Sequence, residues 1–332
     1  MPPKISVIIA THNRPHLLPD AVESARRAGT NVEVIVVDDA STDDTASVCR
    51  NLPGINYVRV ERNQGVAGAR NVGILASGAE FITFLDDDDR RLPGSLDRQL
   101  QALTAAPEAG LVYGQMIIVD QEYQPTGVVL PEPCPSGDLF WELLRGNFIP
   151  CLSVVLRKEC LLKVGLLNSH RPGIDDWDLW VRIAEVYPIV AVEEPVGLWR
   201  RSAPFSAQGS SGTAGIYSQM AQHQRQLLRL PRALAAGKHD LQTARRSLLN
   251  MIFDALIEAT AVALTHAATG HAFANVMTAV RLNPWRTARP WTLLLFANAL
   301  RQNVFRQKTR NETVIHGTRG GAYGDFEAGA HS

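Results

Sequence analysis

Val32-Glu-Val-Ile-Val-Val-Asp-Asp-Ala-Ser-Thr-Asp-Asp-Thr45 changes character at a single point. Up to Val37 it is a β-branched run, and from Asp38 it is acidic and turn-forming. Such a run reads as a strand with a polar tip. Ile5–Ala10 upstream and Phe81–Leu85 downstream are runs of the same kind. Between them lie segments with helical spacing, such as Leu17, Leu18, Ala21, Val22 and Ala25. Strands alternating with helices predict parallel βαβ units and an α/β fold. In open α/β sheets ligands bind beyond the carboxyl ends of the strands, so the polar residues after each run are the candidates for function.

After the first run comes Thr11-His-Asn-Arg-Pro15, after the second Asp38-Asp39, and after the third Asp86-Asp-Asp-Asp-Arg-Arg91. Ser41 or Thr42 is expected to cap the next helix, with Asp43 and Asp44 in its first turn. Capping leaves Asp38 and Asp39 unexplained. Four adjacent carboxylates repel one another unless they are solvated or neutralised by a cation, and oxygen ligands suit Mg²⁺ or Mn²⁺. In Asn63-Gln-Gly-Val-Ala-Gly-Ala-Arg-Asn71 two glycines lead into a helical stretch, Ala69–Ala76. Free N–H groups and Arg70 at a helix start suit phosphate oxygens. The stretch is neither G-x-x-x-x-G-K-[ST] nor G-x-G-x-x-G, which argues against a P-loop NTPase and a dinucleotide-binding dehydrogenase.

Composition bounds the class. The chain has 332 residues, 45% hydrophobic, with 33 basic and 33 acidic groups and no net charge. It is long enough for two domains with a substantial core, and it is neither a disordered chain nor a histone-like nucleic-acid binder. The neutrality hides an asymmetry. Residues 206–332 hold 14 Lys+Arg and 6 Asp+Glu, a net of +8, which leaves −8 for residues 1–205. An acidic front half suits a cation, and a basic back half suits an anionic surface such as a membrane leaflet. Cys49, Cys134, Cys151 and Cys160 form no C-x-x-C and read as unpaired thiols of a reducing compartment. Met1-Pro-Pro-Lys4 leads straight into Ile5 without a charged n-region and a long apolar h-region. The expected location is cytoplasmic. Ala259–Val280 lacks charge but is rich in alanine and carries His266, His271 and Asn275, too polar for a membrane span. Pro290–Leu300 is too short to cross, and the nearby Arg281, Trp285, Arg286, Arg289 and Trp291 suit a membrane interface.

Five motifs in order resemble glycosyltransferase family 2, the inverting nucleotide-sugar enzymes. They are Ser6–Arg14, Val36–Asp43, Asn63–Asn71, Phe84–Asp89 and Asp175-Asp-Trp-Asp-Leu-Trp-Val-Arg182. The resemblance implies a GT-A fold (a Rossmann-like mixed sheet with flanking helices) over residues 1–205. A helical extension is expected over 206–306 after a Ser/Gly-rich linker, and a frayed tail over 307–332. It further implies that Ala10, His12 and Arg14 bind the nucleotide sugar, with Ala10, by its backbone, and His12 lining the base. Asp39 would hydrogen-bond the base with Asp38 beside it, and Arg70 would lie near base and diphosphate. Asp88 would contact the divalent metal (Mg²⁺ or Mn²⁺) together with Asp86. Asp87 and Asp86 would lie around the ribose and the metal's waters. Asp176 matches the general base, with Asp175 where Glu is more usual. Without the resemblance, Asp175 and Asp176 read equally as helix caps, and Trp177 and Trp180 as helix packing.

One departure concerns a late Tyr-Arg-x-His segment of many relatives. Here Leu198-Trp-Arg-Arg-Ser202 puts Ser202 where His is expected, with Arg200 or Arg201 left to hold phosphate. Residues 121–150, rich in Pro and Gly, are expected as an irregular loop before a short helix near Asp138–Leu144 and a strand at Ser153–Leu156. The implied partners are a UDP- or dTDP-sugar donor and a glycan or lipid-linked acceptor, without nucleic acid. Peripheral contact with the inner membrane face would run through the basic extension. The alternative on the same fold is a non-catalytic nucleotide-sugar- or carbohydrate-binding subunit.

Overall fold

The structure, a computed structural model, describes residues 4–201 and 213–289 together with Thr292, Ala297 and Arg301. In chain order, β1 (Ile5–Thr11) is followed by α1 (Leu18–Arg27), β2 (Val32–Asp38), α2 (Thr45–Asn51), β3 (Ile55–Arg59), α3 (Gly65–Ala76) and β4 (Phe81–Asp86). Then come β5 (Arg90–Arg91), α4 (Ser95–Ala105), β6 (Leu111–Val119), β7 (Pro125–Leu130), α5 (Phe140–Arg145), β8 (Val155–Arg157), α6 (Cys160–Val164), α7 (Asp175–Val186) and β9 (Ile189–Arg200). The remaining elements are helical: α8 (Thr213–Leu227), α9 (Pro231–Leu234), α10 (Lys238–Thr265), α11 (Thr269–Leu282) and α12 (Pro284–Thr287).

The strands form one mixed sheet in the order β3-β2-β1-β4-β8-β6-β9-β5, with β7 paired to β6. β1 pairs in parallel with β2 and β4, and β6 with β9, whereas β5, β7 and β8 run antiparallel to their neighbours. This is the mixed α/β architecture with flanking helices that the sequence predicts. β1 and β4 are buried almost throughout, as strands covered on both faces must be. In α1 the expected stripe of Leu18, Ala21, Val22 and Ala25 is buried against the sheet, with Pro19 at the start and Arg26 and Arg27 in the last turn. The parallel register sets Thr11 beside Asp38 and Ala10 beside Asp86. The polar tips of three strands are thereby neighbours.

Several local expectations are corrected. The helix after β2 begins at Thr45, and neither Ser41 nor Thr42 caps it. Ser41 Oγ accepts from Asn13 N, and Thr42 N donates to Asn13 Oδ1, so both hold the loop after β1. Residues 121–150 contain the strand β7, hydrogen-bonded to β6. Part of the expected strand at Ser153–Leu156 is a 3₁₀ turn, Cys151–Ser153, with β8 after it. The four cysteines are free.

The chain divides into two compact units, Met1–Met251 and Ile252–Ser332. The expected domain boundary at residue 205 therefore falls inside the first unit, where α8 packs on α7 and α5. His223 meets Asp178 at 2.6 Å, and Gln224 Nε2 donates to Leu144 O at 2.6 Å. The second unit contains the end of α10, α11 and α12. The uncharged run Ala259–Val280 is broken between α10 and α11 at residues 266–268. By length and composition α10 is long and apolar enough to cross a membrane. Its buried residues include the row Ala244, Leu248, Ile252, Leu256 and Thr260, every fourth position, with Phe253, Ile257 and Ala261 in the row beside it and Ala263 near its end. Ser202, most of the Ser/Gly-rich segment, most of residues 290–306 and the tail from 307 lie outside the described residues.

Gly73 lets α3 lie against β1: a Cβ there would stand 2.4 Å from Ile8 Cγ2. Gly73→Ala is expected to destabilise the first unit by about 1–3 kcal/mol, outweighing the roughly 1 kcal/mol that alanine contributes to a helix. Urea unfolding of the two proteins measures the difference.

Candidate active site

The strand tips open onto one cleft of about 1150 Å³, at or above the upper end of the usual range for ligand pockets. Ala10, His12, Arg14, Asp39, Arg70, Asp86, Asp87, Asp88, Asp175 and Asp176 all line it. Of the site residues expected from sequence, only Asp38 is absent from its walls.

Asp38 is fully buried, and its neighbours use both carboxylate oxygens. Oδ1 accepts from Ser41 N at 2.8 Å, and Oδ2 accepts from Tyr57 Oη at 2.7 Å and Arg59 at 3.3 Å. These partners hold its carboxyl below the ordinary carboxylate value although burial acts the other way. Asp38 thus fastens the loop that presents Asp39. Asp39 Oδ1 accepts from Gln64 N at 2.8 Å, and its carbonyl accepts from His12 Nδ1 at 2.8 Å and Asn63 Nδ2 at 3.3 Å. His12 Nε2 in turn accepts from Asn13 Nδ2 at 3.2 Å, which assigns the proton to Nδ1. Asn13 and Ala40 take left-handed backbone conformations (φ 55° and 60°), which turn the two loops toward each other.

The acidic run after β4 divides its work. Asp87 accepts from Thr11 Oγ1 at 2.7 Å and from Arg14 at 2.9 Å, and Arg14 also reaches Asp88 at 3.3 Å. Burial raises the Asp87 carboxyl to about 6, against the pull of Arg14. Burial and the charge of Asp86 raise Asp88 too. Asp89 is driven up by burial and by Asp86 and Asp88, and accepts from Arg200 N at 2.7 Å. Of the two arginines left open by the sequence, Arg200 lines the cleft with Trp199, its Nε donating to Gln121 O at 2.9 Å, and Arg201 is not among the lining residues.

Arg70 does not stand free for phosphate. Its guanidinium is buried and donates to Asp86 Oδ1 at 2.6 Å and Asp175 Oδ2 at 3.3 Å. Asp175 and Asp176 open α7 after Gly173, whose φ of +80° swings the chain into the cleft. Asp176 accepts from Asn147 Nδ2 at 3.3 Å and from Trp177 N at 2.6 Å. Burial first, and Asp175 second, raise its carboxyl to about 7. Trp177 and Trp180 are fully buried packing residues.

Seven aspartates thus face three arginines around one cleft. Among the described residues no three His, Cys, Asp or Glu side chains converge as a ready metal-ligand set. The donor chemistry still fits a hard divalent cation: Asp86 and Asp88 offer carboxylate oxygens, and burial first and the charge of Asp86 second raise the Asp88 carboxyl. Thr11, Asn13 and Asn63 escaped notice as functional residues although they sit inside the quoted motifs. Asn147 had only its place before Phe148-Ile-Pro150 to mark it.

An acidic cleft at the carboxyl ends of parallel strands defines an α/β domain of ligand-binding type. Residues 6–160 match the model described as glycosyl transferase family 2, so this stretch of the chain is similar to that family. Among curated proteins it is similar to the GalNAc(5)-diNAcBac-PP-undecaprenol beta-1,3-glucosyltransferase of Campylobacter jejuni. That pair is 31% identical, over 54% of this chain and 60% of the relative. The UDP-Glc:alpha-D-GlcNAc-diphosphoundecaprenol beta-1,3-glucosyltransferase WfaP of Escherichia coli is 28% identical over 54% and 69%. The succinoglycan biosynthesis protein ExoU of Rhizobium meliloti is 41% identical over 54% and 57%. The chain spans about three-fifths of the length of the first and last of these. Among solved structures, S. aureus TarS 1-349 in complex with UDP-GlcNAc superposes with a TM-score of 0.54 at 16% identity, covering 86% of this chain and 92% of that one. This likeness shows the GT-A type of fold.

The raised Asp176 carboxyl makes a stability prediction with a definite sign. Unfolded, Asp176 releases its proton near 3.8; folded, it holds it to about 7. Between those values the folded state binds the extra proton, so its contribution to stability falls as pH rises. Asp176→Asn removes that loss. The melting temperature of the variant relative to wild type should be more favourable at pH 8 than at pH 5, which calorimetry at the two pH values measures.

Proposed function

We propose that the chain is an inverting glycosyltransferase that moves a sugar from a UDP- or dTDP-linked donor to a hydroxyl of a glycan or lipid-linked acceptor at the cytoplasmic membrane face. One observation carries this reading: a carboxylate raised to about 7, Asp176, opens onto the same cleft as the Asp39–His12 loop pair and the Asp86–Asp89 run. A general base works best with a pKa near the operating pH. The names of the Campylobacter and Escherichia relatives, with their undecaprenol diphosphate acceptors, support the lipid-linked class.

In this reading the Ala10 backbone, His12 and Asp39 receive the nucleotide base. Arg14 keeps Asp87 and Asp88 in place, and Asp87 lies toward the ribose. Asp88 and Asp86 would hold the divalent cation, which when bound supplies positive charge to the leaving diphosphate. Arg200 supplies a second positive group on the same side. The acceptor hydroxyl attacks the anomeric carbon, the bond from that carbon to the diphosphate oxygen breaks, and the electron pair leaves with the nucleotide. Asp176 takes the hydroxyl proton, held by Asn147 and the α7 first turn. Asp175 and Arg70 position that turn.

The test is donor turnover with a panel of nucleotide sugars in Mg²⁺, Mn²⁺ or EDTA. Metal-dependent release of UDP or dTDP from one donor, lost in Asp88→Ala, is expected. Asp176→Asn should lower kcat by about 10²–10⁴ with donor binding retained. The base must be ionised, so kcat should rise with pH to a plateau with a midpoint near 7. Donor binding without turnover in any acceptor mixture would instead mark a non-catalytic subunit.

A further inference from the structure

In the second unit, α11 is built inside out. The residues it buries are Ala272, Asn275 and Ala279. Its larger apolar residues face solvent: Phe273 is 69% exposed, Met277 50%, Val276 39% and Val280 36%. Positions 273, 276, 277 and 280 follow the i, i+3, i+4, i+7 spacing of one helix face. A helix that served only its own core would bury the large residues and expose the small ones. Trp285, one turn beyond the helix end, is 84% exposed, with Arg281 and Arg289 exposed four residues to either side.

Among the described residues of the second unit, the basic groups Arg281, Arg286, Arg289 and Arg301 outnumber the acidic Asp254 and Glu258. From residue 259 to residue 311 the sequence contains no Asp or Glu and seven Lys or Arg. The second unit's Asp254 accepts from Arg286 at 2.8 Å. A protein partner would have to offer both an apolar groove and a matching acidic rim. An anionic bilayer offers both at once: hydrocarbon below the headgroups for Phe273 and Met277, an interface that favours tryptophan, and negative charge for the arginines.

We propose that the outer face of α11, with Trp285 and the arginines beside it, lies in the interface of an anionic membrane. Phe273, Val276, Met277 and Val280 enter the headgroup–acyl boundary, and Arg281 and Arg289 stay at phosphate level. The binding is peripheral and reversible. It requires neither donor nor acceptor, and so stands apart from the glycosyl-transfer reading.

The test is co-sedimentation of the full-length protein with phosphatidylcholine vesicles containing phosphatidylglycerol, without nucleotide sugar. Binding should require the anionic lipid and weaken from low to physiological salt as charge is screened. Phe273→Glu/Met277→Glu should reduce the partition by about tenfold or more, since it removes apolar contact and adds two repelled charges. Leu162→Glu, at a 90% exposed apolar site on the first unit, is the control and should bind like wild type. Circular dichroism should show both variants equally helical. No binding to anionic vesicles at low salt overturns the proposal. So does binding that the α11 variant leaves unchanged. A wild-type dimer in size-exclusion chromatography that the α11 variant dissociates, with no vesicle binding, would assign the face to a second copy instead.

Discussion

Arg70 is the cation on which the cleft depends. It is buried, reaches Asp86 at the tip of β4 and Asp175 at the start of α7, and lies over the Phe84 ring. Those two carboxylates are 89 residues apart in sequence. A buried charge without partners is costly, and removing one member of such a set leaves the others uncompensated. The strand-tip acids and the helix-start acids can therefore share one cleft because a guanidinium stands between them. The same arrangement explains why Asp176 is so raised. Arg70 makes its hydrogen bonds to Asp86 and Asp175 and acts on Asp176 only through its charge, so burial and the repulsion of Asp175 outweigh the opposing pull of Arg70, Trp177 and Asn147.

Adjacent identical residues acquire opposite duties by the same geometry. Asp38 ends β2 with its side chain directed to Tyr57 and Arg59, and is consumed in holding the loop. Asp39 is one residue on and lines the cleft. Side chains alternate across a strand, so a single step along the chain separates scaffold from site. In the acidic run the division is finer. Asp87 and Asp89 are buried against Thr11, Arg14 and the Arg200 backbone, whereas Asp86 is more open and Asp88 remains near the opening.

The parallel strands and the loops after them were legible because β-branched runs and acidic tips are local signals. Long-range pairing was not. β7 is exposed along nearly its whole length, and its Pro and Gly content resembles loop. Its strand character comes from hydrogen bonds to β6, which no local pattern reveals. The helix boundary at 45 was missed for a related reason: Ser41 and Thr42 have the chemistry of caps, but Asn13 from another loop uses their hydrogen-bonding groups. Motif position placed Arg70 near the cleft correctly. Only the structure shows that its donors are already given to two aspartates, since neither pairing lies within its own helix.

The charge asymmetry of the chain acquires two physical meanings once the structure is in view. The acidic excess of the front half includes a group of carboxylates around one cleft, some matched by arginine and some held up in pKa by burial first and by one another second. The basic excess of the back half is distributed differently, because a 53-residue stretch has no acidic residue of its own. Asp254 meets Arg286 of that stretch, and charge not paired within the protein is met by solvent ions or by a surface of opposite sign. Charge alone would make this stretch a solvated one. The outward face of α11 adds a condition that solvent ions cannot meet, since a row of Phe, Val and Met is relieved only by an apolar phase.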